Sequence, residues 1–555
     1  MLRASSWPWR AKGGWFDGGG PRFADRHRGS RRSRMHADQP KPPGAPVHQG
    51  TPGHQDTPGP EGTPFVVRFA ELASAEPDRL ALTCDDVSIT RRGLESMSNR
   101  LARDLIARGV RHGDFVSIVV PNSIAFVVAE LASWKAGAVP QPLSPKLPVS
   151  ELREIIDLTE PALVIGDVGA EVAGGRALLP ADHQPDPALD DGPLPAVVSP
   201  AWKAPTSGGS TGRPKVIVAG RPALVEETDL SADVFGIEHG GVVLVPSPVS
   251  HNAPNMSVAL GLLRGNHVVL MRRFDAAQVL RLVERHRVSW LYVVSTTMGR
   301  IMRLPEEVRA AADLSSLRTV FHTAAPVPVW LKRAWIDWVG PIVRELYAGT
   351  EAQATTVITA PEWLAHPGSV GRVLRGEMQI RDADGRVLPP GREGKVWMRR
   401  APDVEATYRL LGAQAHPDPD GWESLGDIGW FDEDGYLYLG DREADMILVG
   451  GANVYPAEIE AALGQHDAVV DSCVVGLPDD DLGNVPHAIV VTRRSVPEAD
   501  LVRHLRSRLA PYRMPRSFEF VTTPLRDDAG KIRRSQLRTA RLAGGTGPAA
   551  GPTTR

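Results

Sequence analysis

The sequence predicts an α/β fold: a large N-terminal domain of mixed and parallel sheets carrying a small β-subdomain, followed by a small α+β C-terminal domain. Three observations predict it. Helical patterns alternate with short, continuously apolar β-rich runs, the pattern of mostly parallel sheet covered by helices. From about residue 369 the texture changes to short strands separated by turn signals. A strand-rich and then helical segment occupies 445–540. Hydrophobic residues form 42% of the 555-residue chain and charged residues 23%, which excludes fibrous and wholly disordered protein. At roughly 100–200 residues per domain, the length allows two to four compact units.

The chain opens on a charge asymmetry. Residues 1–34 hold nine Lys or Arg and two Asp, a net +7 in a chain whose total is −3. This stretch lacks the apolar core of a secretory signal, and the Arg31–Arg32 pair is followed by polar residues. A basic arm for nucleic acid or anionic membrane is one reading. The favoured one is a lead that cannot fold alone, with Met35 as an alternative start. Residues 36–63 are Pro/Gly-rich, so 1–63 is assigned as a disordered lead and 543–555 as a disordered tail. The folded span divides into 64–441 and 442–542.

Within it, 91–110 places Leu94, Leu101, Leu105 and Ile106 on one face of a helix. FVSIVV (115–120) reads as a buried strand and 123–138 as the next helix. The alternation repeats at 149–160 with 162–166, and at 276–287 with 289–295. In 377–400 the turn signals DADG and PPGREG separate short strands. No stretch approaches the roughly 18 apolar residues of a spanning helix. Cys84 and Cys473 stand alone and far apart, which excludes a CxxC metal site or a one-chain disulfide scaffold and fits a reducing, cytoplasmic setting.

TSGGSTGRPK, from Thr206 to Lys215, is the most telling segment. Gly208, Gly209 and Gly212 let backbone N–H groups turn inward around phosphate oxygens, and Thr206, Ser207, Ser210 and Thr211 add hydroxyl donors. Lys215 adds a point charge. The Walker spacing is absent, and KVIV (215–218) reads as a strand, so the loop belongs in a β-hairpin without a helix dipole. Such loops are also plain turns, and taken alone the segment leaves both readings open.

The string resembles the phosphate-binding signature of the adenylate-forming superfamily, which contains acyl-CoA synthetases, adenylation domains of peptide synthetases and luciferases. Further segments follow in the family's order. In YAGTEA (347–352), the resemblance implies that Tyr347 stacks on adenine, Thr350 contacts the α-phosphate and Glu351 holds Mg²⁺. One carboxylate beside phosphates is adequate for magnesium. Ala348 replaces the usual Gly, tolerable unless that position needs positive φ. Ala324 and Ala325 match the stretch lying along adenine. In 421–460, Asp427 would accept the ribose hydroxyls and Arg442 would reach the same sugar. Gly450, Gly451 and Asn453 would line a pantetheine channel, and Ala444 falls at the hinge, where the family usually carries Asp or Lys. Lys531 matches the adenylation lysine; its neighbours Arg533 and Arg534 read as a solvated face.

The resemblance implies a mobile C-terminal domain and a two-step reaction using ATP, Mg²⁺ and CoA: an acyl-adenylate forms, then a thiol displaces AMP. His251, in PSPVSHNAPN (246–255), matches a residue near the substrate carboxylate; a capping or core role is the alternative. Nothing acidic lies between Pro246 and Ala259, so a substrate α-ammonium would lack its partner. The stretch 322–372 is similar to bacterial bile-acid–CoA ligases, which suggests a bulky, steroid-like or fatty acid. Two other functions stay open: transfer to a carrier protein or arrest at acyl-AMP, and nucleotide binding without turnover. The partners expected are small molecules rather than nucleic acid or an integral membrane span, and a homo-oligomer is compatible with the sequence.

Overall fold

The computed structural model describes residues 62–208, 214–401, 404, 406–442, 445–449, 452–526 and 530–543; statements of absence below concern these residues. The lead 1–61, the start at Met35 and the tail from 544 lie outside them.

The central feature is one mixed sheet of thirteen strands. Leu80–Cys84, His267–Leu270, Val242–Val245, Trp290–Val293, Thr319–His322 and Val343–Ala348 are successive parallel neighbours. The first five are buried nearly throughout, as continuous apolar runs require when helices cover both faces, while Val343–Ala348 is half-buried toward its end. From Thr355–Thr359 onward the same sheet turns antiparallel, through Ser369–Arg375, Leu437–Arg442, Asp427–Phe431, Gly394–Arg399 and Glu377–Arg381. The β-subdomain read from 369 is therefore a continuation of the main sheet, with its own small core of Ala354, Val370, Ile380, Val396, Met398 and Leu437. Its first turn forms as read: Gly385, at φ +81°, donates to the Asp382 carbonyl over 3.1 Å. A second, all-parallel sheet joins Val139–Pro142, Phe115–Val119, Leu163–Gly166 and Ala177–Leu179.

The helix read at 91–110 spans Arg91–Ala107, started by the Thr90 hydroxyl accepting from Gly93 N over 3.2 Å. Leu94, Leu101 and Leu105 are buried, but Ile106 is 46% exposed. The buried face runs on through Ser98 and Ala102, and a residue one past Leu105 stands about 100° round the helix. Ile124–Lys135 buries residues on every side and forms a central layer. Its Trp134 meets Phe65 edge-on at 5.1 Å and donates to the Trp202 carbonyl over 2.8 Å.

Thr206–Gly208 and Pro214–Ala219 form the antiparallel hairpin the loop required, with Tyr408–Leu411 as third strand. The C-terminal part is an α+β unit: Val469–Asp479, Gly483–Thr492 and Ser517–Val521 pair centrally. Helices Pro456–Leu463 and Glu498–Arg506 supply Ile459, Leu463, Leu501 and Leu505 to its own core. No described helix is long and apolar enough to cross a membrane.

Candidate functional site

A cleft of about 2110 Å³ opens over the carboxyl ends of the parallel strands, where strands hand over to loops and ligand sites form in α/β sheets. Ser247 to Asn252 follow one strand, Val294 to Thr296 the next, Thr323 to Ala325 a third, and Tyr347 to Glu351 end the last. The hairpin adds Thr206 and Lys215, the antiparallel half adds Asp427, and the C-terminal unit adds Lys531. Segments far apart in sequence thus supply ten of the residues read from it to one cavity: Thr206, Lys215, His251, Ala324, Ala325, Tyr347, Thr350, Glu351, Asp427 and Lys531.

Three contacts organise the polar side. Lys215 Nζ donates to Glu351 Oε1 over 2.8 Å, with Glu351 only 6% exposed. The Thr407 hydroxyl holds the Glu351 carbonyl over 2.7 Å, a residue sequence reasoning missed because an isolated Thr carries no signal. The Tyr347 hydroxyl donates to Asp427 Oδ2 over 2.7 Å, coupling the residue assigned to adenine with the one assigned to ribose. No cluster of three or more His, Cys, Asp or Glu suited to a metal exists among the described residues. A magnesium ion would therefore rest on Glu351 together with phosphate oxygens, a donor set it accepts.

Ala348 does not take positive φ, so replacing Gly there costs no backbone strain; Ala324 does, at +78°. A side chain in that region is disfavoured by about 1–2 kcal/mol. Ala324→Gly is accordingly expected to raise stability by about 1 kcal/mol after the extra chain entropy of Gly. A urea titration checks this; a lowered midpoint would sink it.

The lysine turn docks on the start of helix Ser295–Met302, which follows strand Trp290–Val293. Gly530 packs so closely on Thr296 that an added Cβ would lie 3.0 Å from its hydroxyl, and its carbonyl accepts from Arg526 over 3.1 Å. Three further ties hold the C-terminal unit: Arg303 donates to the Val469 and Val470 carbonyls at 3.1 and 2.9 Å, Tyr455 pairs with Glu393, and Arg533 meets Glu151 at 2.8 Å. Arg533 is exposed, as the solvated face expected of it requires. Arg534 departs from that expectation: it is half-buried and donates to Glu460 and to the Val474 carbonyl, because the inner face of the otherwise exposed last helix rests on the sheet.

His251 stands at the N-cap position of helix Asn252–Leu263 and lines the cleft. Asn453 is exposed on strand Ala452–Val454 and pairs in register with Leu448, which lines the cleft. Gly209, Ser210, Thr211, Gly212, Ala444, Gly450 and Gly451 lie outside the described residues, as do the side chains of Ser207, Gly208 and Arg442.

The sequence profile of the AMP-binding enzymes matches residues 69–408, and that of the AMP-binding enzyme C-terminal domain matches 458–531. The chain belongs to the AMP-binding enzyme family, and the resemblance read from its motifs is borne out. A feruloyl-CoA synthase of an Amycolatopsis species is 32% identical over 484 residues, 84% of this chain and 96% of the relative. A Mycobacterium tuberculosis 3-[(3aS,4S,7aS)-7a-methyl-1,5-dioxo-octahydro-1H-inden-4-yl]propanoyl:CoA ligase is 35% identical over 497 residues, 83% of this chain and 96% of the relative. The Bacillus subtilis o-succinylbenzoate CoA synthetase, solved with its acyl-adenylate intermediate, has a TM-score of 0.73 at 27% identity. That similarity covers 86% of this chain and 98% of the synthetase.

Proposed function

We propose that the protein is an ATP-dependent, AMP-forming acid–CoA ligase acting on a ring-bearing carboxylic acid. The observation that carries this reading is the convergence of Lys215, Glu351, Asp427 and Lys531 on one cleft at the strand ends. A carboxylate must attack the α-phosphorus of ATP, so two anions have to meet. Lys215 and Lys531 offset the charge, and Lys531 is the group positioned to bridge the acyl carboxylate and the α-phosphate as pyrophosphate leaves. Mg²⁺ on Glu351 would add charge neutralisation at the phosphates. Thr206, Thr350 and the hairpin backbone bind phosphate, Tyr347 with Ala324 and Ala325 bounds adenine, and Asp427 with Arg442 takes ribose. In the second step the CoA thiolate attacks the acyl carbon and AMP departs. The same reading divides the chain into an AMP-binding domain, 64–441, and a domain, 442–542, that turns about Ala444 and brings Gly450, Gly451 and Asn453 to the thiol.

The ring-bearing substrate is supported by the wall of the cleft, where Trp202, Phe235, Met256 and Tyr292 supply a broad apolar surface. The relatives' names also describe ring acids. Incubating the protein with Mg-ATP, CoA and a panel of aryl, bicyclic, steroid and fatty acids, followed by mass spectrometry, is expected to yield an acyl-CoA from a ring acid. Accumulation of acyl-AMP despite CoA would overturn CoA as acceptor, and no product from any acid would overturn the ligase reading.

A further inference from the structure

One lysine in the cleft carries none of the roles assigned above. Lys203 is 7% exposed, lines the cleft, and stands on the apolar side next to Trp202, over whose ring its Nζ lies at 4.5 Å. The surrounding wall, Trp202, Val234, Phe235, Met256 and Tyr292, belongs to the largest apolar core. An ammonium has three N–H donors. Among the described residues its one hydrogen-bond acceptor is Asn252 Oδ1.

Behind it runs a polar rail. Asn252 and Asn255 are three apart on helix Asn252–Leu263, hence neighbours on one face. Asn255 Nδ2 donates over 2.7 Å to Oε1 of Glu130, a carboxyl 1% exposed. Glu130 Oε2 has no hydrogen-bond partner in the structure. Burial pushes the Lys203 ammonium down to about 7, against the attraction of Glu130. It pushes the Glu130 carboxyl up to about 8, against the Asn255 hydrogen bond and the Lys203 charge. A buried cation with unfilled donors costs stability unless something completes it. Facing a substrate cleft, the missing acceptor belongs to the substrate.

We propose that Lys203, backed by Asn252 and Glu130, recognises a second oxygen function on the acid, a ring ketone or a second carboxylate, distinct from the carboxylate being activated. This rests on the ligase reading above and sharpens its substrate class. A hydrocarbon ring of the same shape would bury the ammonium without an acceptor, and sites built to hydrogen-bond reject analogues that lack the group.

The test uses three bicyclic propanoic acids matched in shape, carrying on the far ring a ketone, a carboxylate or only CH₂. Acyl-CoA formation is followed as kcat/KM, and binding of the same acids is followed by calorimetry, for the full-length protein, K203M and K203M/E130Q. The protein is expected to favour at least one oxygenated acid over the hydrocarbon by about tenfold or more, the size of one charge-assisted hydrogen bond. In K203M that ratio should fall to about one, and the double variant, which leaves no buried charge, should repeat it. The favoured acid tells ketone from carboxylate. An unchanged ratio in both variants, or no preference in the parent, overturns the proposal. Lys203-dependent binding without any product would overturn the ligase reading and leave this one standing.

Discussion

Lys531→Ala is expected to slow acyl-adenylate formation by about 10²–10³-fold, the scale for removing one preorganised donor to developing charge. Attack of CoA on supplied acyl-adenylate should keep most of its rate. The asymmetry follows from how the lysine is presented. Lys531 reaches the cleft on a turn that packs on Thr296 and is tied by Arg526, and the unit bearing it is held by Arg303 at the carbonyls of Val469 and Val470. These ties hold the lysine at the cleft. Thioester formation needs a path for pantetheine, which the proposed turn of the C-terminal unit would open. Pyrophosphate release reports the first half-reaction, and consumption of synthetic acyl-adenylate with CoA reports the second. Equal loss in both would contradict two working orientations of the C-terminal domain. Arg303→Ala offers a complementary check, since it should weaken the adenylating arrangement without touching the cleft chemistry.

Much of the fold and the cleft is legible in the amino-acid sequence, for identifiable reasons. Motifs that bind phosphate and sugar depend on residue type and spacing along a short stretch, so Thr206, Lys215, Tyr347, Glu351 and Asp427 can be read one segment at a time, and all line the same cleft. Strands buried on both faces, such as Trp290–Val293, announce themselves as apolar runs. What stays hidden is what depends on long-range pairing. The join between Thr355–Thr359 and Ser369–Arg375, which makes the expected β-subdomain continuous with the main sheet, is one such pairing. Arg534 reads as solvated because its partners, Glu460 and the Val474 carbonyl, lie 74 and 60 positions away in the chain. Lys203 and Glu130 carry no signal, since a single Lys or Glu in an apolar stretch does not reveal which way its side chain points.

Lys332→Ala is expected to cost about 3–5 kcal/mol of folding stability, the scale for stranding one member of a buried ion pair. Lys332, on helix Val329–Val339, is 1% exposed and donates to Glu345 Oε2 on strand Val343–Ala348. His322 Nε2 lies 3.4 Å from the same oxygen, and Lys332 Nζ is 5.1 Å from the centre of the Trp363 ring. Burial alone would raise the Glu345 carboxyl; the nearby His322 and Lys332 and the Lys332 hydrogen bond outweigh it and hold it at about 2. Because this folded value lies below the ordinary 4.5, the Glu345 contribution is fully present above that value and fades as the pH falls toward 2. Without Lys332 the carboxyl is neutral when buried and gains nothing from high pH. The stability gap between parent and variant should therefore be widest at neutral pH and shrink by about 1.4 kcal/mol for each unit below 4.5. Urea titrations at pH 7 and pH 3.5 measure it, and a gap independent of pH would refute the assignment. Replacing both partners, as K332M/E345M, should recover much of the loss, since well-packed apolar side chains of similar volume can match a buried pair. The same strand carries Tyr347 toward the cleft, so the ion pair also fixes the cleft-facing end of the strand. In Lys332→Ala, the KM for ATP is expected to rise before the protein unfolds, and a fully folded variant with an unchanged KM would confine the pair to a purely structural role.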